Sequence, residues 1–119
     1  AVGDSLHMHL RTELEANNVL YASHAKCIYD FNRESSVHSK IKNAPNTSKA
    51  RYITEDVPYL FVPFCELADL CGVDVPIAKA LVTIASYYND ENYMKTGRTL
   101  AKMGFNHWTK QEILEFLEA

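Results

Sequence analysis

The chain has 119 residues, 47% hydrophobic and 23% charged, a composition that fits one compact globular domain and excludes disorder or low complexity. Twelve Lys plus Arg against fifteen Asp plus Glu leave a net charge of −3, which argues against a nucleic-acid partner because such proteins normally present a basic face. No apolar run approaches the roughly 18 to 20 residues needed to span a bilayer, and AVGDSLHMHL lacks the basic-then-apolar order of a secretory signal.

In chain order, helix signals dominate. Leu6, Leu10 and Leu14 lie four apart and predict a helix over 5–15, with Asp4 or Ser5 as N-cap. Asn17 and Asn18 break that pattern, and Val19, Leu20, Ala22, Ala25, Ile28 and Tyr29 predict a second, broader apolar face. The polar stretch from Asn32 to Lys49 reads as loop around one short helix near Val37 to Lys42. Asp56 or Val57 then caps a helix with Pro58 in its first turn, Pro63 kinks or restarts it, and Gly72 ends it in the left-handed conformation. Asp74 and Pro76 start the next helix, whose Ile77, Ala80, Leu81, Ile84 and Ala85 recur at three- and four-residue spacing before Asn89 and Asp90 stop it. A short helical turn over Thr99 to Met103 closes at Gly104. Thr109-Lys110-Gln111-Glu112 is a capping box leading into a terminal helix with Ile113, Leu114, Phe116 and Leu117. The expectation is an all-α domain of several helices with short joins, and no repeat period suggests a solenoid.

The three cysteines, Cys27, Cys65 and Cys71, are odd in number and lack framework spacing, so they read as reduced core thiols of a cytoplasmic protein. His7 and His9 stand two apart, and neither Cys65 nor Cys71 has a nearby histidine, so no metal site is expected. The tyrosines, among them Tyr87, Tyr88 and Tyr93, read as core or rim residues with solvated hydroxyls. Arg98, beside Gly97, either binds an anion or ties the last two helices together. Glu112, Glu115 and Glu118 on the terminal helix would repel phosphates, which again disfavours nucleic acid.

One run concentrates chemistry. Arg51-Tyr52-Ile53-Thr54-Glu55-Asp56-Val57-Pro58-Tyr59 sets a cation, two adjacent carboxylates and two phenols beside a helix start. An arginine fork matches a substrate carboxylate, and an aspartate can orient a histidine and stabilise its protonated form. Spacing alone leaves an alternative open at each residue. Arg51 and Glu55 can form a surface ion pair worth about 0.3 to 0.5 kcal/mol, and Asp56 can be a helix cap.

RYITEDVPY with the following Val62-Pro63, then LADLCGVDVP (Leu67 to Pro76), GRTLAKMG (Gly97 to Gly104) and WTKQEILEFL (Trp108 to Leu117), together resemble the C-terminal helical domain of the octopine/nopaline (opine) dehydrogenases. The resemblance covers about residues 40 to 117, and 1–39 read as a loosely matching lead-in. It implies the all-α, 6-phosphogluconate dehydrogenase-like type of domain, here residues 1–119 without the Rossmann domain that precedes it in the family. It implies a parent NAD- or NADP-dependent oxidoreductase that reductively condenses an amino acid with a 2-keto acid, with substrates in the cleft between the two domains. The arginine of the run, Arg51, inherits the grip on a substrate carboxylate. Its aspartate, Asp56, inherits the pairing with a catalytic histidine that relays a proton. A homodimer built through the helical domain also fits.

The departures are specific. The family's G-N-x-x-x-H-P motif is absent, so none of His7, His9, His24, His38 and His107 inherits the catalytic role. No G-x-G-x-x-G occurs, and glycines at 3, 72, 97 and 104 are too dispersed to cradle a dinucleotide. Leu60-Phe61 and Asp74 stand where glycine and small polar residues are common. The chain alone is therefore expected to be inactive. The competing expectation is a stand-alone helical interaction or dimerisation module with no catalytic activity.

Overall fold

The computed structural model describes residues 1–40 and 44–119, and among them there are helices and turns and no strand. In chain order the helices are α1 (Val2–Ser5), α2 (Glu13–Leu20), α3 (Ile28–Glu34), α4 (Arg51–Thr54), α5 (Val62–Leu70), α6 (Pro76–Asn89), α7 (Tyr93–Thr96) and α8 (Lys110–Glu118). A 3₁₀ turn at His38–Lys40 follows α3, and a π-helical turn at Val57–Phe61 precedes α5. The all-α expectation holds. Contacts group the chain into two units, His9–Ala44 and the remainder, Ala1–Met8 with Pro45–Ala119.

The helix expected over 5–15 does not form, and its residues divide between the two units. Thr12 and Glu15 make a capping box in which the Glu15 carboxylate accepts from the Thr12 N–H and hydroxyl, both at 2.8 Å. An N-cap needs extended backbone, and Thr12 has it (φ −65°, ψ 157°), so no helix can run through this position. Leu10 is accordingly exposed, and Asn17 and Asn18 lie inside α2 rather than breaking it. Asn18 spends its amide on the Ala25 carbonyl at 2.8 Å, fixing the turn into α3. Phe31 is fully buried, with the rings of Tyr21 and His38 at 5.6 and 5.0 Å from its own. Of the short helix expected near Val37 to Lys42, residues 38–40 form the 3₁₀ turn, while 41 and 42 lie outside the described residues.

Cys27 departs from the expectation of a core thiol. It is exposed and caps α3, its sulfur accepting from the Asp30 N–H at 3.5 Å and donating to the Asp30 carboxylate at 3.2 Å. Cys65 does lie in a core, where burial pushes its thiol pKa up.

The larger unit has two core clusters. One gathers Val57, Val62, Cys65, Val82, Ala85 and Tyr93, from the π turn, α5, α6 and α7. The other joins Val2 and Leu6 to Ala68 of α5 and to Ile113 and Leu114 of α8. Phe105, Trp108 and Phe116 pack edge to face over the second, with ring centroids 4.9 to 5.7 Å apart. α5 therefore serves both clusters. It ends as expected: Gly72 takes φ +69°, and the Val73 N–H donates to Ala68 O at 2.8 Å, the six-to-one bond of a Schellman stop. Asp90 plays the same part after α6 at φ +53°. Thr99–Met103 forms hydrogen-bonded turns in place of the expected helix, and α7, which periodicity missed, is a single turn.

The capping box that starts α8 is present, with Glu112 accepting from the Thr109 N–H at 2.7 Å and its hydroxyl at 2.8 Å. These bonds hold the Glu112 carboxyl below the usual range. A lowered folded-state pKa means the contribution is present above the unfolded carboxyl value, roughly 4.3, and is lost as pH falls through the folded one. Thr109→Ala is expected to cost about 1 kcal/mol at neutral pH. In urea unfolding, its gap from wild type should narrow in acid; a gap that persists unchanged contradicts the carboxylate's part in the cap.

Candidate functional site

The stretch holding Arg51 and Asp56 is fixed from both ends. At its start, the buried Asn89 donates to Ser48 O at 2.9 Å and to the Tyr93 hydroxyl at 3.0 Å, while Lys49 Nζ donates to Asn89 O at 3.1 Å. These bonds pin the residues just before α4 to the end of α6.

At its other end, two prolines set the backbone. Pro58 and Pro63 are five apart, the spacing of a π-helical i to i+5 bond. In an α register the Val62 N–H would donate to Pro58 O, but it donates to Val57 O instead. In the π register the donor to Pro58 O would be residue 63, and proline has no N–H. The Pro58 carbonyl therefore has no helical partner in either register. Arg98, forty residues on, fills the vacancy: its N–H donates to Pro58 O at 2.8 Å.

That bond requires a close approach. Gly97 is buried, and a Cβ there would sit 2.6 Å from Tyr93 O, 2.7 Å from Pro58 O and 3.0 Å from Val62 Cγ2. Two more side chains hold the segment down. The Glu66 carboxylate accepts from the Leu100 N–H, and Lys102 Nζ donates to the carbonyls of Lys95, Thr96 and Gly97 at 3.1, 2.7 and 2.9 Å. Lys102 so satisfies the carbonyl end of α7. The GRT run thus meets the DVPY run in space, and Arg98 ties the end of α7 to the π turn rather than joining the last two helices.

On this frame Arg51 is exposed. Its Nε lies 3.5 Å from a Glu55 carboxylate oxygen, the ion pair that spacing allowed, with the two side chains 75% and 57% exposed. A pair so exposed contributes little to stability and leaves most of the guanidinium free. Asp56 is not the cap considered as its alternative. It has helical backbone (φ −66°, ψ −39°), caps nothing, and its exposed carboxylate has no hydrogen bond or ion pair among the described residues. Arg51 and Asp56 are not paired with each other. Tyr59 is exposed, and the Arg98 guanidinium lies over its ring at 5.2 Å. Periodicity could not reveal this neighbour of the site, although the proline spacing held the signal.

Among the described residues the four glycines stand apart and none is placed to cradle a phosphate. Gly97 is buried against carbonyls and Val62, Gly72 and Gly104 are positive-φ turn residues, and Gly3 lies in α1. Among the described residues no three His, Cys, Asp or Glu groups gather as a metal site, and no helix is long and apolar enough to cross a membrane.

The Gly97 contacts yield a stability test. Gly97→Ala should cost about 1 to 3 kcal/mol in urea or thermal unfolding, because backbone oxygens cannot swing aside as a flexible side chain can. A loss within the roughly 0.5 kcal/mol of ordinary surface substitutions would refute the packing.

Comparison with known proteins gives consistent matches. The model of the NAD/NADP octopine/nopaline dehydrogenase alpha-helical domain matches residues 1–89, so the family-model match includes the lead-in and stops short of the GRTLAKMG run, most of which the longest match to a relative does cover. Protein ocs of Agrobacterium vitis is 32% identical over 103 residues, 87% of this chain. Vitopine synthase of Allorhizobium ampelinum is 36% identical over 73 residues, and an opine dehydrogenase of an Arthrobacter species is 34% identical over 74, or 61% and 62% of the chain. The chain spans only 20 to 28% of the length of these three relatives.

Proposed function

The chain belongs to the octopine/nopaline dehydrogenase family, through its alpha-helical domain, and from that premise we propose that it is the substrate-side part of an opine-type dehydrogenase. The reaction is reductive condensation of an amino acid with a 2-keto acid, using NADH or NADPH. The observation that carries this reading is the state of the two side chains. Arg51 and Asp56 project from a backbone pinned at Ser48, Pro58 and Gly97, and the fold uses neither the Asp56 carboxylate nor most of the Arg51 guanidinium. Rigid placement of unspent polar groups is what a preorganised binding site requires.

Arg51 binds the keto-acid carboxylate with its planar fork, exchanging a weak surface pair with Glu55 for charge-assisted bonds to substrate. Asp56 accepts a hydrogen bond from a histidine elsewhere in the parent protein, fixing its orientation and favouring the protonated form that delivers a proton to the carbonyl or imine. The nicotinamide cofactor is held outside this chain, by the family's Rossmann domain. The chain alone is inactive. The unpaired thiols fit a cytoplasmic location.

A second reading, an interaction or dimerisation module without catalysis, draws on a different observation. The outer face of α6 presents Ile77, Leu81, Ile84 and Tyr88, all exposed and spaced along one stripe. A homodimer through this face is compatible with either reading, so activity rather than oligomeric state separates them.

In the parent protein, Arg51→Ala should raise KM for the keto acid by about tenfold or more, the loss of a charge-assisted contact. Asp56→Asn should lower kcat and leave the unfolding midpoint unchanged. Steady-state assays against an amino-acid and keto-acid panel read both. Unchanged keto-acid kinetics for Arg51→Ala, or an Asp56→Asn variant that unfolds, would contradict the assignments.

A further inference from the structure

The proposed reaction joins two carboxylate-bearing substrates, so its product is a secondary amine carrying two carboxylates. At neutral pH its charges run anion, cation, anion along a short backbone. One arginine answers only one of them. We infer that Arg98 is the second substrate-binding cation, and that Arg51, Glu55 and Arg98 form a cation–anion–cation row matched to this pattern. The inference rests on the reading of the chain as an opine-type dehydrogenase domain.

The row is continuous on the structure. Residues four apart on a helix are surface neighbours, so Arg51 stands beside Glu55, and Glu55 beside Tyr59, whose N–H donates to Glu55 O at 3.0 Å. The Arg98 guanidinium covers the Tyr59 ring at 5.2 Å. Arg51 and Arg98 are thus linked through Glu55 and Tyr59, the first by its ion pair with Glu55 and the second by its stack on the Tyr59 ring. Glu55, already 3.5 Å from Arg51, is placed to meet the product's ammonium between the two carboxylates.

What separates Arg98 from an ordinary surface arginine is the division of labour between its backbone and its side chain. The fold takes its tie from the N–H, bonded to Pro58 O, and from the absent side chain at Gly97. The guanidinium makes no hydrogen bond or ion pair among the described residues. Its planar donors stay free while its Cα is held in place and the Tyr59 ring steadies the plane. An arginine so fixed loses little freedom on gripping a carboxylate, and this is the setting in which a bidentate contact adds affinity.

The test uses the parent protein carrying this chain, with Arg98→Met and Arg98→Lys. Both retain the N–H at position 98, so the unfolding midpoint should hold. Arg98→Met should raise KM for the amino acid about tenfold or more, with kcat and the keto-acid KM within about twofold. Arg98→Lys should recover part of the loss. The amine lacking the carboxylate should serve wild type and Arg98→Met equally poorly, because the missing contact is to that group. An unchanged amino-acid KM, or an effect confined to kcat, overturns the role of Arg98 and leaves the enzyme reading intact. A wild-type parent that turns over no pair of amino acid and keto acid overturns that reading, and this inference with it.

Discussion

The larger unit depends on a carbonyl that its own helix cannot satisfy. Five residues separate Pro58 from Pro63, and in neither the α nor the π register does Pro58 O find a donor within the helix. A buried orphan carbonyl costs on the order of 1 to 3 kcal/mol, so the structure must supply a partner from elsewhere. It supplies the Arg98 N–H, and that demand explains the rest of the neighbourhood. Residue 97 must be glycine because only a residue without Cβ fits between two carbonyls. Glu66 and Lys102 then secure the chain on either side of the contact. A break in one helix thereby becomes a joint between segments forty residues apart.

Site and joint share the same residues of sequence but use different atoms. Backbone groups of Pro58, Gly97 and Arg98 hold the frame, while the side chains of Arg51, Asp56, Tyr59 and Arg98 face solvent. This separation lets the exposed side chains vary without loss of fold, since a changed side chain at Arg98 keeps the N–H that matters to stability. Arg51 keeps only an exposed pair with Glu55 at 3.5 Å, and on the proposed reading that pair yields readily to a ligand's carboxylate.

Much of this was legible in the sequence wherever a local rule had no tertiary rival. The capping box at Thr109, the glycine stop at Gly72 and the proline start of α6 each rest on contacts within one turn, and each is present. The leucine spacing over 5–15 misled because Thr12 and Glu15 carried a stronger local signal, one that terminates any helix arriving from upstream. Tyr93–Thr96 escaped notice because one turn is too short for periodicity to register. The candidate residues Arg51 and Asp56 came from motif resemblance, and spacing left both open to plain structural roles. Geometry removes one of these, the cap at Asp56, and bears out the other, the pair with Glu55. Arg98 was open to anion binding on sequence grounds, but its backbone tie to Pro58 was not legible, because that partner lies forty residues away and the signal for it was the spacing of two prolines.

The most direct test of this account is native-state amide hydrogen exchange at Arg98, followed by NMR in the wild type and in Pro63→Ala. The tie from Arg98 to the Pro58 carbonyl predicts a protected Arg98 N–H in the wild type and loss of protection in the variant, where residue 63 regains an N–H that competes for Pro58 O. An Arg98 amide that exchanges at the unprotected rate in the wild type, or whose protection is indifferent to Pro63, would contradict it.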